Sequence, residues 1–496
     1  MRSAILPGVL LALGAAANLV GQESSRLSVT ARSAPDSLVG VDGRPQDAER
    51  TTLTIRQRSP VGADTVQLDV VYLRLAARGP GAGAPIVFLM GGPGVPASVI
   101  GRIPPYWTLF DRLRDVADVI LLDQRGVGLS TPTLGCPPTD PPAPDFLASR
   151  RRMAEALAAA YAPCVAHWRD RGMPAELFTV REVAEDVESV RRQLGVPRVS
   201  LLGFSYGTRI ALEYAHRYPE RVDRLALQGV LGFEHVARFP TVLDSVLARL
   251  SAAAARDSAA RASVPDLRSA LARRFAALEQ APLTVRVAMP AGDSASLTVG
   301  KEGLQALVAL RAGDPRLVPL AGSLAAGDTR LLAALAGGIY GDLAAGGGSL
   351  FGRAMYCSAP APEARERRAR EQAATSPLGE LFDNVPASVE FCRAIGITPG
   401  PRTRAPERPI PRPALLITGT LDDRTPLDNA AEARRYFTPS WSVTVEYGGH
   451  ELLPLDTVQA LVVEFLRSGR VAADRVAADP PRFPSVAEAL LPTRRR

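Results

Sequence analysis

Histidine is scarce in this chain, with four residues among 496, and cysteine is equally rare at four. Cys164 and His167 have the spacing of two metal ligands, but no second such pair accompanies them, which argues against a zinc site. Aromatic residues make up 5% of the chain, and none is interleaved with a basic stretch as nucleic-acid recognition requires. The net charge of +7 comes almost wholly from arginine scattered through an Ala- and Pro-rich chain, mixed with acids in stretches such as 363–370. Only Arg494, Arg495 and Arg496 form an unbroken run, so the charge describes solvated faces and not a polyanion site. Internal repeats are lacking, and beyond Val20 no apolar run reaches membrane length.

The first residues have the makings of an export signal. Arg2 gives a positive start, residues 4–20 are mostly apolar but broken by Pro7, Gly8, Gly14 and Asn18, and small residues precede polar Gln22. The stretch is short, rich in Gly and Ala and without a basic stop flank, so a cleaved signal over 1–21 is expected in place of an anchor. No cysteine lies near the cleavage region, which excludes a lipid anchor there. A secreted or periplasmic location favours disulfides among Cys136, Cys164, Cys357 and Cys392. Three pairings exist. Neighbours in sequence, Cys136–Cys164 and Cys357–Cys392, are the economical one, each pinning a loop-rich segment for about 3.5–4 kcal/mol in chain entropy.

With 46% hydrophobic residues the chain can bury a sizeable core, either as two or three units or as one large domain with an insertion. Residues 51–56 and 65–70 alternate apolar and polar side chains as half-buried strands do. Residues 86–90, 118–122, 198–202, 224–227 and 414–418 are short, mostly apolar runs suited to strands buried on both faces, and 442–447 follows them as a further strand. Val180, Val183, Val187, Val190 and Leu194 recur at helical spacing, and a second helix runs from Tyr206 to Tyr218. Strands alternating with helices imply a parallel, doubly wound α/β sheet. From Phe233 the period becomes mainly helical, apart from a hairpin at 283–299, and sheet character resumes after a Pro/Arg-rich link. The chain thus divides into a core at 22–232, a helical cap at 233–404, a second core part at 405–468 and a peripheral tail at 469–496.

Gly203-x-Ser205-x-Gly207 lies between a buried strand and a helix, where a sharp turn lifts the serine above the sheet edge. Glycine on both sides relieves crowding at such a turn. A serine hydroxyl needs a base, and the base needs an orienting acid. Of the four histidines, only His450 follows a strand late in the chain; His167 precedes the nucleophile strand, His216 lies within the next helix and His235 opens the insert. Asp422 and Asp423 both follow the strand at 414–418, and either has the order Ser, acid, His. Acyl transfer also needs two backbone N–H groups aimed at the developing oxyanion: Tyr206 offers one, and Gly91 or Gly92 the other. No Lys-Ser/Thr follows this Gly-rich loop, so it is not a phosphate loop.

Taken together, Gly91-Gly92-Pro93-Gly94, Asp123-Gln124-Arg125-Gly126-x-Gly128-x-Ser130, Gly203-x-Ser205-Tyr206-Gly207-Thr208, Gly419-x-x-Asp422-x-x-Thr425-Pro426 and Gly449-His450 resemble the prolyl iminopeptidase/tripeptidyl aminopeptidase family of α/β-hydrolases. The resemblance covers 86–231 and 414–466 and implies a cofactor-free serine exopeptidase acting on free peptide N-termini. It assigns Ser205 as nucleophile, Asp422 as orienting acid, His450 as base, and Gly92 and Tyr206 as oxyanion donors. Met90 stands where the family often has His, and Gln228 where Asp is common. In such enzymes a cap supplies carboxylates for the substrate ammonium; Glu234, Glu279, Asp342, Glu380 and Asp383 are the candidates. An esterase or amidase for small hydrophobic substrates would use the same triad, with an apolar pocket in place of that clamp. A peptide or small acyl compound is therefore the expected partner, with no nucleic acid and no stable membrane insertion.

Overall fold

Four segments of the chain are apolar at nearly every position, and each is a strand buried along its whole length: β4 (Ile86–Leu89), β5 (Val119–Asp123), β6 (Val199–Phe204) and β10 (Ala414–Gly419). Such runs need helices over both faces. The computed structural model describes residues 26–40, 43–62, 64–79, 83–288 and 294–491, so the export segment expected at 1–21 and the run Arg494–Arg496 lie outside it. The other strands are β1 (Arg26–Val39), β2 (Pro45–Arg58), β3 (Thr65–Leu75), β7 (Val222–Gln228), β8 (Leu283–Ala288), β9 (Ser294–Val299), β11 (Ser440–Glu446) and β12 (Arg475–Ala477).

Ten of them form one sheet in the order β1-β2-β3-β5-β4-β6-β7-β10-β11-β12. The pairings β1–β2, β2–β3 and β3–β5 are antiparallel, and every pairing from β5 across to β12 is parallel. Parallel neighbours require crossovers, here including the helices Val180–Gln193, Tyr206–Arg217 and Asp456–Ser468. Val183, Val187 and Val190 of the first are fully buried, as their spacing requires. This is the α/β-hydrolase fold, and the carboxyl ends of β4, β6, β10 and β11 share one edge where their loops meet.

Between β7 and β10 the chain builds a separate layer of helices, among them Pro240–Arg256, Leu267–Gln280, Lys301–Ala309, Leu317–Ala325, Arg330–Ala344 and Leu350–Cys357. The β8–β9 hairpin packs with them around a core that includes Leu243, Leu271, Phe275, Leu304 and Leu332. Cys136 is bonded to Cys164, and Cys357 to Cys392.

Two elements differ from the sequence reading. β1 is a 14-residue strand with mostly exposed side chains. Its sequence carries no burial alternation, and Pro35 is tolerated because β1 is a sheet edge. The segment after Ser468, read as a peripheral tail, instead supplies β12 to the other edge. Its Phe483, Val486, Ala489 and Leu490 then pack against the core of the helical layer.

Candidate active site

Ser205 sits between β6 and the helix Tyr206–Arg217 with φ 53° and ψ −123°, a conformation that costs a non-glycine residue of order 1–3 kcal/mol. Its neighbours explain why the turn is affordable only with glycines beside it. A Cβ on Gly207 would lie 1.8 Å from the Leu89 carbonyl oxygen, and one on Gly203 3.0 Å from Thr208 Cα. These two glycines let the helix press against β4 and β6, which fixes the serine at the sheet edge. The Ser205 N–H donates to the Gln228 carbonyl at 2.9 Å, anchoring the turn to β7 as well.

Ser205 Oγ lies 2.9 Å from His450 Nε2, and His450 Nδ1 lies 2.9 Å from Asp422 Oδ1. Asp422 is fully buried, and its charge is met by the N–H groups of Arg424 (2.9 Å) and Thr425 (2.8 Å) and by the Thr425 hydroxyl (2.7 Å). Asp423 turns away to accept from the Gly313 N–H at 3.1 Å, and burial raises its carboxyl above the usual range. Of the two neighbouring acids, Asp422 is thus the one that meets the histidine. Gln228 donates from Nε2 to the His450 carbonyl at 2.9 Å and accepts from Leu452 N–H at 3.3 Å, holding the histidine loop from below. Among the described residues, Ser205 and Tyr447 are the two non-glycines with φ between 50° and 60°, and Tyr447 opens that same loop.

The Gly-rich loop after β4 runs beside Ser205. A Cβ on Gly91 would stand 2.7 Å from Ser205 Cβ and 2.9 Å from the Tyr206 nitrogen. Gly92 has φ 115° and lines the same cavity as Tyr206, whose N–H begins a helix. The loop is held by Gln124, which donates to the Met90 carbonyl at 2.7 Å. Asp123 accepts from Ser98 N–H (2.9 Å), Ser98 hydroxyl (2.6 Å) and Leu129 N–H (2.9 Å), and a Cβ on Gly128 would fall 2.2 Å from its Oδ2. Arg125, fully buried, pairs with Asp186 at 2.7 Å. Burial would raise Asp186, but Arg125 and Arg26 beside it hold it below the usual carboxylate range. The Asp-Gln-Arg-Gly motif is therefore a scaffold under the loop and does not line the cavity over Ser205.

A cavity of about 390 Å³ opens over Ser205. Met90, Val95, Phe204, Leu231 and Tyr356 give it apolar walls; Arg238, Arg353, Arg424, Asp383 and Glu451 bring charge. Of the five cap carboxylates considered, only Asp383 lines it, and it is ion-paired to Arg238, with Arg424 at 3.8 Å. Glu279 pairs with Lys301, Glu380 with Arg150 and Glu234 with Arg435, while Asp342 also lies off the cavity. Arg238, Arg353, Arg424 and Glu451 were not singled out from sequence, because each stands outside any recognisable motif except Arg424, which occupies a variable position of one. His235 is buried at the cavity wall, 3.0 Å from Glu432. Burial lowers its pKa, and its Nδ1 accepts from Gly232 N–H, so a neutral ring donates from Nε2 to the carboxylate. That donation and Arg365 bring Glu432 down to about 2. Among the described residues no cluster of His, Cys, Asp and Glu is able to hold a metal ion, and no helix is long and apolar enough to cross a membrane.

A strand-turn-helix serine facing a histidine at the sheet edge defines a serine hydrolase of the α/β class. Comparison with known proteins agrees: a model described as alpha/beta hydrolase fold matches residues 84–289, and one described as TAP-like protein matches 380–477. Proline iminopeptidase of Neisseria meningitidis is 31% identical over 148 residues, 30% of this chain and 33% of that one. Serine protease Hip1 of Mycobacterium tuberculosis is 29% identical over 181 residues, 35% of this chain and 34% of that one. The matched segments thus span about a third of the relatives' length. An esterase of Thermogutta terrifontis covers 88% of this chain and 100% of its own at 14% identity and a TM-score of 0.35, a likeness that bears on no activity. The chain thus has the α/β-hydrolase fold, its first part similar to the general model of that fold and its later part to TAP-like proteins.

Proposed function

We propose that this protein is an extracytoplasmic serine aminopeptidase in which Ser205, His450 and Asp422 form the catalytic triad. The observation that carries this reading is the unbroken relay of two 2.9 Å contacts from Asp422 through His450 to Ser205. His450 Nε2 takes the Ser205 proton as Oγ bonds to the scissile carbonyl carbon, and Asp422 stabilises the imidazolium. The N–H groups of Gly92 and Tyr206 receive the oxyanion. His450 returns the proton to the departing amine, and water, deprotonated by the same ring, releases the acyl group. Asp383, brought to the cavity from the insertion, and Glu451, beside His450, are the cavity carboxylates that can meet a substrate ammonium. The two disulfides support a location outside the cytoplasm.

The pairing of Asp383 with Arg238 favours a second reading, an esterase or amidase with the same triad, since a carboxylate already neutralised binds an ammonium less well. Matched chromogenic aminoacyl and tripeptidyl amides with free and acetylated N-termini, beside a simple ester, separate the two. The aminopeptidase reading predicts that acetylation lowers kcat/KM about 10–100-fold, the worth of one charged hydrogen bond. Equal cleavage of free and acetylated amides would replace it with the amidase reading.

A further inference from the structure

The helix Leu350–Cys357 forms part of the cavity roof and is locked to the nucleophile turn. The Tyr206 hydroxyl donates to the Met355 carbonyl at 2.9 Å, the Leu350 N–H donates to the Leu134 carbonyl at 3.0 Å, and Cys357 is bonded to Cys392. This helix carries Arg353 into the cavity that contains Ser205. Its guanidinium carbon lies 4.9 Å from the ring centre of Tyr161 and 5.3 Å from that of Tyr356. Aromatic faces attract the positive charge but offer little to the N–H groups. Arg353 Nε and Nη1 are buried, and neither has a hydrogen-bond partner among the described residues.

The other two cavity guanidiniums are engaged. Arg238 is bound to Asp383 and to the Asp423 carbonyl, and Arg424 lies 3.8 Å from Asp383. Glu451 is exposed, and Asp383 is shared between its two arginines. The cavity therefore keeps a surplus of positive charge, concentrated on the one cationic fork among these three without an acidic partner. Buried donors left unmet cost stability, and a guanidinium fork matches a carboxylate in shape as well as charge.

We propose that Arg353 anchors a carboxylate of the substrate, so that the preferred substrates are acyl compounds, short peptides above all, bearing a carboxylate close to the scissile bond. The proposal rests on Ser205 being the nucleophile, but not on the aminopeptidase reading. The carboxylate has two sources in peptides, a free C-terminus or an acidic side chain.

The test uses the full-length protein and matched substrate pairs: trialanine against its C-terminal amide, Ala-Glu-Ala amide against Ala-Gln-Ala amide, and p-nitrophenyl hemisuccinate against p-nitrophenyl butyrate. The wild-type protein should prefer the carboxylate member of at least one pair by about 10–100-fold in kcat/KM, mainly through KM. The pair that responds identifies the source. In Arg353→Gln that ratio should fall to near one, and Arg353→Lys should keep part of it, since a charge remains while the fork is lost. A merely structural arginine would affect both members of a pair alike and leave the ratio standing. No preference in the wild-type protein, or a preference that survives in Arg353→Gln, overturns the proposal. Hydrolysis persisting in Ser205→Ala would instead remove the nucleophile beneath it.

Discussion

Around Ser205, the carboxyl edge of the sheet leaves almost no choice of residue. Gly91, Gly203, Gly207 and Gly128 each face backbone or side-chain atoms that an added Cβ would meet at 3.0 Å or less. The insertion is as tight where it meets the rest of the chain, since a Cβ on Gly303 or Gly313 would lie 2.0 or 1.9 Å from the Leu147 or Leu421 carbonyl oxygen, but its interior is built on different terms. Its helices bury Leu243, Leu271, Phe275 and Leu304 against one another, and many other apolar residues of similar volume would serve there. Yet both regions contribute to one cavity, the sheet with Ser205 and His450, the insertion with Arg353, Tyr356 and Asp383. A reaction mechanism tolerates little displacement and so constrains the sequence locally, whereas a binding wall is set by wherever packed helices happen to deliver a charge.

Two substitutions on the sheet side sharpen this contrast most. Asp422→Asn should lower kcat by about 10⁴-fold, because the amide favours the wrong histidine tautomer, while Asp423→Asn should stay within about tenfold. Comparable losses in both, read from steady-state kinetics with folding checked by circular dichroism, would show that the strand end is less particular than its geometry indicates. The insertion side is expected to respond first in stability. Replacing Cys357 and Cys392 together by Ser opens a 35-residue loop and should cost about 3.5–4 kcal/mol in denaturant unfolding. Because that bridge tethers the Arg353 helix, KM should rise more than kcat falls. A pure kcat loss would place the insertion in the chemistry and erase the distinction.

The same contrast governs what could be read from residues alone. β4, β5, β6 and β10 announce themselves as apolar runs; the Gly-x-Ser-x-Gly turn and the Asp422/Asp423 pair follow from where β6 and β10 end, His450 from the end of the next strand, and the family resemblance singled out Asp422. β1 escaped because an edge strand with polar faces has no periodic signature, and β12 because three residues are too few to make one. Arg353 and Arg238 are two among many arginines, and nothing in their neighbours marks them as facing a cavity. Asp383 stood among five candidates until the fold placed it at the wall. Gln228, flagged as a departure from the family, proves to brace the His450 loop.

The central claim is that Ser205, activated by His450, attacks the substrate. Reaction with a fluorophosphonate, followed by peptide mass mapping, tests it directly, because such reagents form a stable bond only with an activated serine. The account predicts a single adduct on Ser205 in the wild-type protein, strong suppression in His450→Ala, and loss of about 10⁶-fold in kcat for Ser205→Ala. An adduct on another serine, or undiminished turnover in Ser205→Ala, would contradict it.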